Sequence, residues 1–386
     1  MFEDAKKGKG EKASFIISTG ANRWQQILQA AGRSFLLLIT SASVLSVIFI
    51  FVYITKDAIP FFRLEGAREF FTSTRWYPSR AEGAEFGALA ILFGSLMVTI
   101  GASILSILVG IPAAVCLSDI LPFSVRQVTK PIIEILSAIP SVVYGFFALV
   151  VFAPLLQNRG GPLLSISLWL IGLPTGLILT VLITGSASRG ENGSSSALIR
   201  IMAALASALG ILALLIFGSF RLADLRITSG TNALNGIIIL SIMALPTLVS
   251  ISEDSLNAIG RELREGSYAL GATRAETITR VVIPAARGGI LAAVILGVMR
   301  AIGETMVVWM ATGNAVRIPQ PWYNVLEPIR TLTATIAGEM GEADHVTGSG
   351  RYHVLFIMAL CLLIFTFIGN ILTEYVISRR KIKKSR

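Results

Sequence analysis

Two opposite charges stand four residues apart in an otherwise apolar run, Arg300 and Glu304 in VILGVMRAIGETMVVWMATG (294–313). A run of about 20 apolar residues has the length of a membrane-crossing helix. A charge near the middle of such a helix costs roughly 2.5–3.5 kcal/mol on insertion scales. On one continuous helix, i,i+4 spacing puts both charges on one face. A guanidinium presents a planar fork of donors that fits two oxygens of an oxyanion. A carboxylate beside it accepts a hydrogen bond from an acidic hydroxyl and repels a fully ionised anion. The competing reading is structural, either a salt bridge within the span or partners on other spans. Arg before Glu is the poorer helical orientation for such a bridge. Intramembrane ions that face a protein interior usually mark a pathway.

A second set of charges lies in SEDSLNAIGRELREGSYALGATRAETITRVVIPAARGG (252–289). Glu262, Arg264, Glu265, Arg274, Glu276 and Arg280 alternate there with Tyr268, Ala269, Leu270 and Ile278. The pattern predicts a helix ending near Leu270, a left-handed stop at Gly271 and a second helix opened by Thr273. Glu276, three residues after Thr273, completes a capping box. Pro284 is expected in the first turn of the returning membrane helix, where a missing N–H is tolerated. Two short helices joined at a sharp bend make a rigid, charged knob. Its two readings are a solvated loop and a mechanical contact that transmits a push.

The elements that must position these groups follow from composition. Of 386 residues, 54% are hydrophobic and 15% charged, and mean hydropathy is +0.73. Soluble domains carry nearer a quarter charged residues. The chain reads as an all-α polytopic membrane protein, and the alternating ten-residue segments of a β-barrel are not seen. Eight spans are expected, at about 34–55, 87–117, 131–157, 163–184, 197–219, 234–256, 286–312 and 352–377. The net charge of +10 is read as basic cytoplasmic segments rather than as a nucleic-acid surface. Lys6, Lys7, Lys9, Lys12, Arg23 and Arg33 precede the first span, and SRRKIKKSR closes the chain. Both termini are therefore expected in the cytoplasm, which an even number of spans satisfies. This divides the chain into a cytoplasmic segment (1–33), a first core part (34–159), a helix pair (160–230), a second core part (231–377) with a cytoplasmic loop (254–285), and a basic tail (378–386). The pair, linked by SASRGENGSSSALIR, can be removed without reversing anything after it, which is how an insertion behaves.

Cys116 and Cys361 both fall in apolar runs and imply no disulfide framework. His345 and His353 have no metal-ligand spacing, and no metal site is expected. There is no G-x-x-x-x-G-K-[ST] loop, so if ATP is used another chain must bind it. The first span is not expected to be a cleaved leader, being long and lacking a small-x-small site.

The 252–289 loop resembles the coupling loop of ABC importer permeases, whose signature is E-A-A-x-x-x-G-x9-I-x-L-P. Glu265, Gly271, Val281, Ile283 and Pro284 match its spacing, with Gly266-Ser267 in place of Ala-Ala. ALGATRAETITRVVIPAARGGI, AIPSVVYGFF (138–147), RAIGETM and TLTATIAGEMGEA (331–343) are together similar to the PstC-type subunit of bacterial phosphate importers. The likeness covers spans one to three and six to eight and leaves out 160–230. It implies an ABC importer permease fold of six family-like helices plus the inserted pair. It implies phosphate translocation past Arg300 and Glu304. It also implies contact with an ATPase through Glu265, Gly271, Ala272, Thr273, Arg274, Glu276 and Pro284. The implied partners are a PstA-type second permease, an ATPase dimer that binds the ATP, an extracytoplasmic phosphate-binding protein and the bilayer of a bacterial inner membrane. The chain itself is then no enzyme and holds no cofactor. The rival readings are a permease for sulfate or molybdate, an ion-driven secondary transporter, and a membrane receptor or scaffold.

Overall fold

Apolar runs set the helices, and proline, glycine and buried polar groups set where they stop. The computed structural model describes residues 23–64, 67–80, 83–187, 195–343 and 349–384. The basic segment before Arg23, the centre of the Gly/Ser-rich link (188–194), His345 and the last two residues of the tail lie outside them. By its contacts the chain divides into residues 1–54 and 55–386. In the first unit lies most of α1 (Arg23–Leu64), an apolar helix long enough to cross a membrane.

The second unit carries α2 (Ala67–Thr72) and a two-stranded hairpin, β1 (Trp76–Tyr77) with β2 (Glu85–Phe86), pairing Trp76 with Phe86. Then come α3 (Leu89–Val115), extended by a wide π turn to Ile120, and α4 (Phe123–Ala138). α5 (Ser141–Phe147) passes through a second π turn into α6 (Ala153–Ala187), and α7 (Ser195–Ala223) follows. α8 (Ala233–Asn257) leads to α9 (Arg261–Ala269) and α10 (Arg274–Thr277). A third π turn, Ile278–Val282, joins α10 to α11 (Ile283–Ile302). The chain ends with α12 (Met306–Ala311), α13 (Leu332–Glu339) and α14 (Gly350–Lys384).

The core is built on α3, α8 and α11. α3 and α8 run parallel: Gly101 lies under Ile237, Gly110 under Leu248, and Ser118 donates to Asn257 at 3.1 Å. A Cβ on either glycine would stand 2.5–2.6 Å from those side chains, so the missing Cβ sets the helix spacing. Val98, Ala102, Leu240, Met243 and Ala301 fill the shared core. α8 opens on a cap: the Asn232 side chain accepts from the Asn235 amide at 2.9 Å. The amides of Ala233 and Leu234 donate to the carbonyls of Glu327 and Val325 at 3.0 and 2.7 Å. Three orphan amides at the helix start thus find acceptors, as an apolar surrounding demands.

Seven runs among the described residues are long and apolar enough to cross a membrane, where eight spans were expected. The helical run 141–187 breaks between the expected third and fourth spans. It leaves helical geometry at Arg159 (φ −132°, ψ 17°), and the arm beyond packs against α7 as an antiparallel pair. Gly161 meets the Ala223 carbonyl, Gly172 meets Leu215, and Gly176 meets Ile211. Two more boundaries differ. Residues 131–138 belong to α4, because Ile139 and Pro140 are extended, as the residue before proline prefers. The expected 286–312 helix instead breaks after Ile302 and starts earlier, at Arg274. Pro284 accordingly sits inside a continuous run, directly after the π turn that widens the backbone ahead of it.

Candidate functional site

The break after Ile302 changes the relation between the two charges. Gly303 (φ −82°, ψ −4°) ends α11, and Thr305 (φ −113°, ψ −54°) precedes α12. Arg300 is on the last turn of one helix and Glu304 is in the gap before the next, so they do not share a helix face. Arg300 is exposed and Glu304 half-buried. Among the described residues no ion pair within 4 Å joins Arg300 to Glu304 or to another acid. This removes the intrahelical salt bridge as an account of the pair. In α5 the Tyr144 hydroxyl donates to the Leu136 carbonyl at 2.9 Å. Broken helices of this kind are where membrane transporters build ion sites.

The gap is held from the side. α12 and α13 run in the same direction, with Thr333 level with Glu304 and Gly338 level with the Trp309 indole. The Thr333 hydroxyl donates to the Glu304 carbonyl at 2.7 Å. α13 is itself anchored at both ends. Its Leu332 amide donates to Ser95 Oγ at 2.7 Å. Its buried Glu339 accepts from Arg330 at 3.1 Å, Arg351 at 3.1 Å and the Trp76 indole at 3.0 Å.

The 262–284 knob has the predicted local structure. Gly271 adopts φ +82° between α9 and α10. The capping box is complete: Glu276 N–H donates to Thr273 Oγ1 at 3.3 Å, and Thr273 N–H to Glu276 Oε2 at 3.0 Å. Buried Ser267 and Thr277 join the two arms at 2.9 Å. Glu265, Gly271, Thr273, Arg274 and Glu276 are exposed, Ala272 is half-buried, and Leu270 protrudes at 90% exposure.

Arg264 ties the knob to the bundle. It donates to Asp119 in the π turn that extends α3 at 3.0 Å, to the Leu256 carbonyl in the last turn of α8 at 2.9 Å and to the Ile259 carbonyl just beyond it. Arg274 donates to the Asp119 carbonyl. Beside this, Glu253 of α8 is fully buried and bound by Arg126 and Lys130 of α4, Lys130 at 2.7 Å, and by Asn257. Lys130 also reaches Asp254 at 3.0 Å. The sequence reading missed Asp119, Arg126, Lys130 and Glu253. A signal was present, since two acids at a helix C-terminus oppose its dipole and call for cationic partners.

The hydrogen bond to Glu253 raises the Lys130 pKa above the ordinary lysine value, against partial burial, and Asp254 adds to it. A raised lysine pKa stabilises the fold below the unfolded value and is lost only as pH climbs through the folded one. The latch should therefore be insensitive to pH around neutrality and loosen in alkali. Its parts should not be equivalent. Removing both cations (Arg126→Leu with Lys130→Met) strands a buried carboxylate and should cost about 3–5 kcal/mol. Glu253→Gln strands cations that remain 29% and 33% exposed, and should cost clearly less. Thermal unfolding of the purified variants measures the order, and a reversed order would refute the burial argument.

Residues 106–382 match the family described as binding-protein-dependent transport system inner membrane component. The chain is 30% identical over 369 residues to the "Probable ABC transporter permease protein YqgH" of Bacillus subtilis, covering 95% of this chain and 96% of the relative. It is 32% identical over 312 residues to the "Phosphate transport system permease protein PstC" of Mesorhizobium japonicum, covering 80% and 78%. It is 26% identical over 336 residues to "Phosphate transport system permease protein PstC 1" of Mycobacterium tuberculosis, covering 84% and 85%.

Proposed function

The chain belongs to the binding-protein-dependent transport system inner membrane components, the permeases of ABC importers, and from that premise we propose that its cargo is inorganic phosphate. A multi-pass membrane subunit of this family works with an ATPase and a substrate-binding protein. The observation that carries the phosphate reading is Arg300, an exposed guanidinium at a helix break with no acid bound to it among the described residues. Its fork is suited to two phosphate oxygens. At neutral pH phosphate keeps a P–OH and sulfate has none, so Glu304 accepts a hydrogen bond from one and repels the other. Several relatives named as phosphate permeases support the same cargo. Affinity at this point should be modest, because a path must release its ion.

On this reading Glu265, Gly271, Ala272, Thr273, Arg274, Glu276 and Pro284 form or support the contact with the ATPase. ATP is bound and cleaved there, and this chain carries no catalytic site. A second, PstA-type permease faces Arg300 across the path, two ATPase copies sit below, both termini lie in the cytoplasm, and nucleic acid is no partner. The α6–α7 pair is read as peripheral to the path, since neither helix carries a charge at its centre. A permease for another oxyanion is the second reading, since the name of the Bacillus subtilis relative states no cargo either way.

ATP-dependent uptake of labelled phosphate into vesicles, with and without the partner ATPase, tests the proposal. Uptake should require the ATPase and resist competition by sulfate and molybdate. Equal competition by either oxyanion would replace phosphate as the cargo, and uptake without the ATPase would remove the import reading. The same assay, normalised to assembled complex, on a chain with 160–230 replaced by a short polar linker tests the peripheral pair; lost selectivity would put it in the path.

A further inference from the structure

Nothing in the transport chemistry above uses α13 or the Thr331–Ala343 stretch that contains it. We infer that Thr333 is the positioning residue for Glu304, and that α13 is the bracket that gives it purchase. The inference rests on the reading of Glu304 as a group that meets the transported anion.

A carbonyl in a helix break loses its helical donor, and in an apolar surrounding such a group must be satisfied from elsewhere. The Glu304 amide is only loosely engaged, 3.5 Å from the Ala301 carbonyl. Its carbonyl is firmly engaged by Thr333 Oγ1 at 2.7 Å. The Glu304 peptide is therefore oriented chiefly through its oxygen. Turning that peptide swings the Cα–Cβ bond, and with it the carboxylate. Thr333 is 6% exposed, so water does not substitute readily for its hydroxyl.

The donor must itself be fixed to act this way, and α13 is fixed at both ends. Thr331 caps it by accepting from the Ala334 amide at 3.4 Å. Ser95 of α3 takes the Leu332 amide at 2.7 Å. At the far end Glu339 is held by Arg330, Arg351 and Trp76, three groups distant from one another in sequence. The bracket thus references Glu304 to α3, α14 and the β-hairpin rather than to its own helix. A helix break alone would leave the carboxylate free to sample positions, and discrimination by a P–OH hydrogen bond needs one position.

The experiment is labelled phosphate uptake by the assembled importer, with KM, maximal rate and sulfate competition measured between about pH 6 and 8. Thr333→Val keeps the shape and removes the donor. It should raise KM about five- to ten-fold, the scale of one lost hydrogen bond, and weaken discrimination against sulfate. The amount of complex in the membrane should be unchanged. Thr333→Ser keeps the donor and should restore the wild-type KM. In a Glu304→Gln background, Thr333→Val should add little. If Thr333→Val leaves KM and selectivity at wild-type values while Glu304→Gln impairs transport, the positioning role is overturned and the path reading stands. If Thr333→Val lowers only the amount of assembled complex, its role is structural and the inference fails. If Glu304→Gln and Arg300→Ala both transport normally, the path reading fails, and the inference falls with it.

Discussion

Arg300→Ala should abolish phosphate uptake while leaving the protein inserted and assembled. Two charge-assisted hydrogen bonds from a guanidinium to an anion are together worth ~3 kcal/mol or more. Their loss should lower uptake on the order of 100-fold. Assembly should survive for a separate reason. With no acid bound to Arg300 among the described residues, its removal strands no carboxylate. Arg300→Lys keeps the charge and loses the fork, so it should recover only a small part of the rate. Uptake per assembled complex is the measurement, and wild-type uptake by the alanine variant would sink the assignment.

Local chemistry in this chain was legible and distant chemistry was not. The Thr273–Glu276 box and the left-handed Gly271 formed as read, because caps and glycine stops depend on residues within one turn. Membrane-length apolar runs were legible for the same reason. The break at Gly303–Thr305 was missed because hydropathy follows side chains and is blind to backbone. A single glycine in an apolar helix does not announce a stop, and the hydroxyl that bonds the Glu304 carbonyl in this break, Thr333, lies 29 residues further on. The Arg300–Glu304 spacing was therefore read on a helix that does not continue. The latch on Glu253 joins groups 123 and 127 residues apart, which no window along the chain can see. The bend at Arg159 falls between the expected third and fourth spans, where Gln157, Asn158, Arg159, Gly160, Gly161 and Pro162 interrupt the apolar pattern.

Gly271→Val should uncouple the importer. At φ +82° an L-residue is unfavourable by about 1–2 kcal/mol, and a β-branched one by more. A Cβ there would meet no atom within 4 Å, so the effect would be one of backbone alone and not of packing. What the strained residue disturbs is the angle between two arms that are otherwise well fixed. The first arm is held by Arg264 to Asp119 and to the end of α8. The second is held by its capping box and by Arg274 on the Asp119 carbonyl. The Ser267–Thr277 bond must then stretch or break for the angle to open. A population shift of 1–2 kcal/mol away from the productive angle corresponds to roughly a ten-fold loss. Substrate-stimulated ATP hydrolysis and uptake should fall together by about that factor, while basal hydrolysis by the assembled ATPase persists. Gly271→Asn, which enters the left-handed region at lower cost, should fall between wild type and valine. Hydrolysis and uptake measured on the same reconstituted complexes decide it. If valine leaves stimulation and uptake at wild-type levels, the knob transmits no push, and Leu270 at its tip is a solvated side chain rather than a contact.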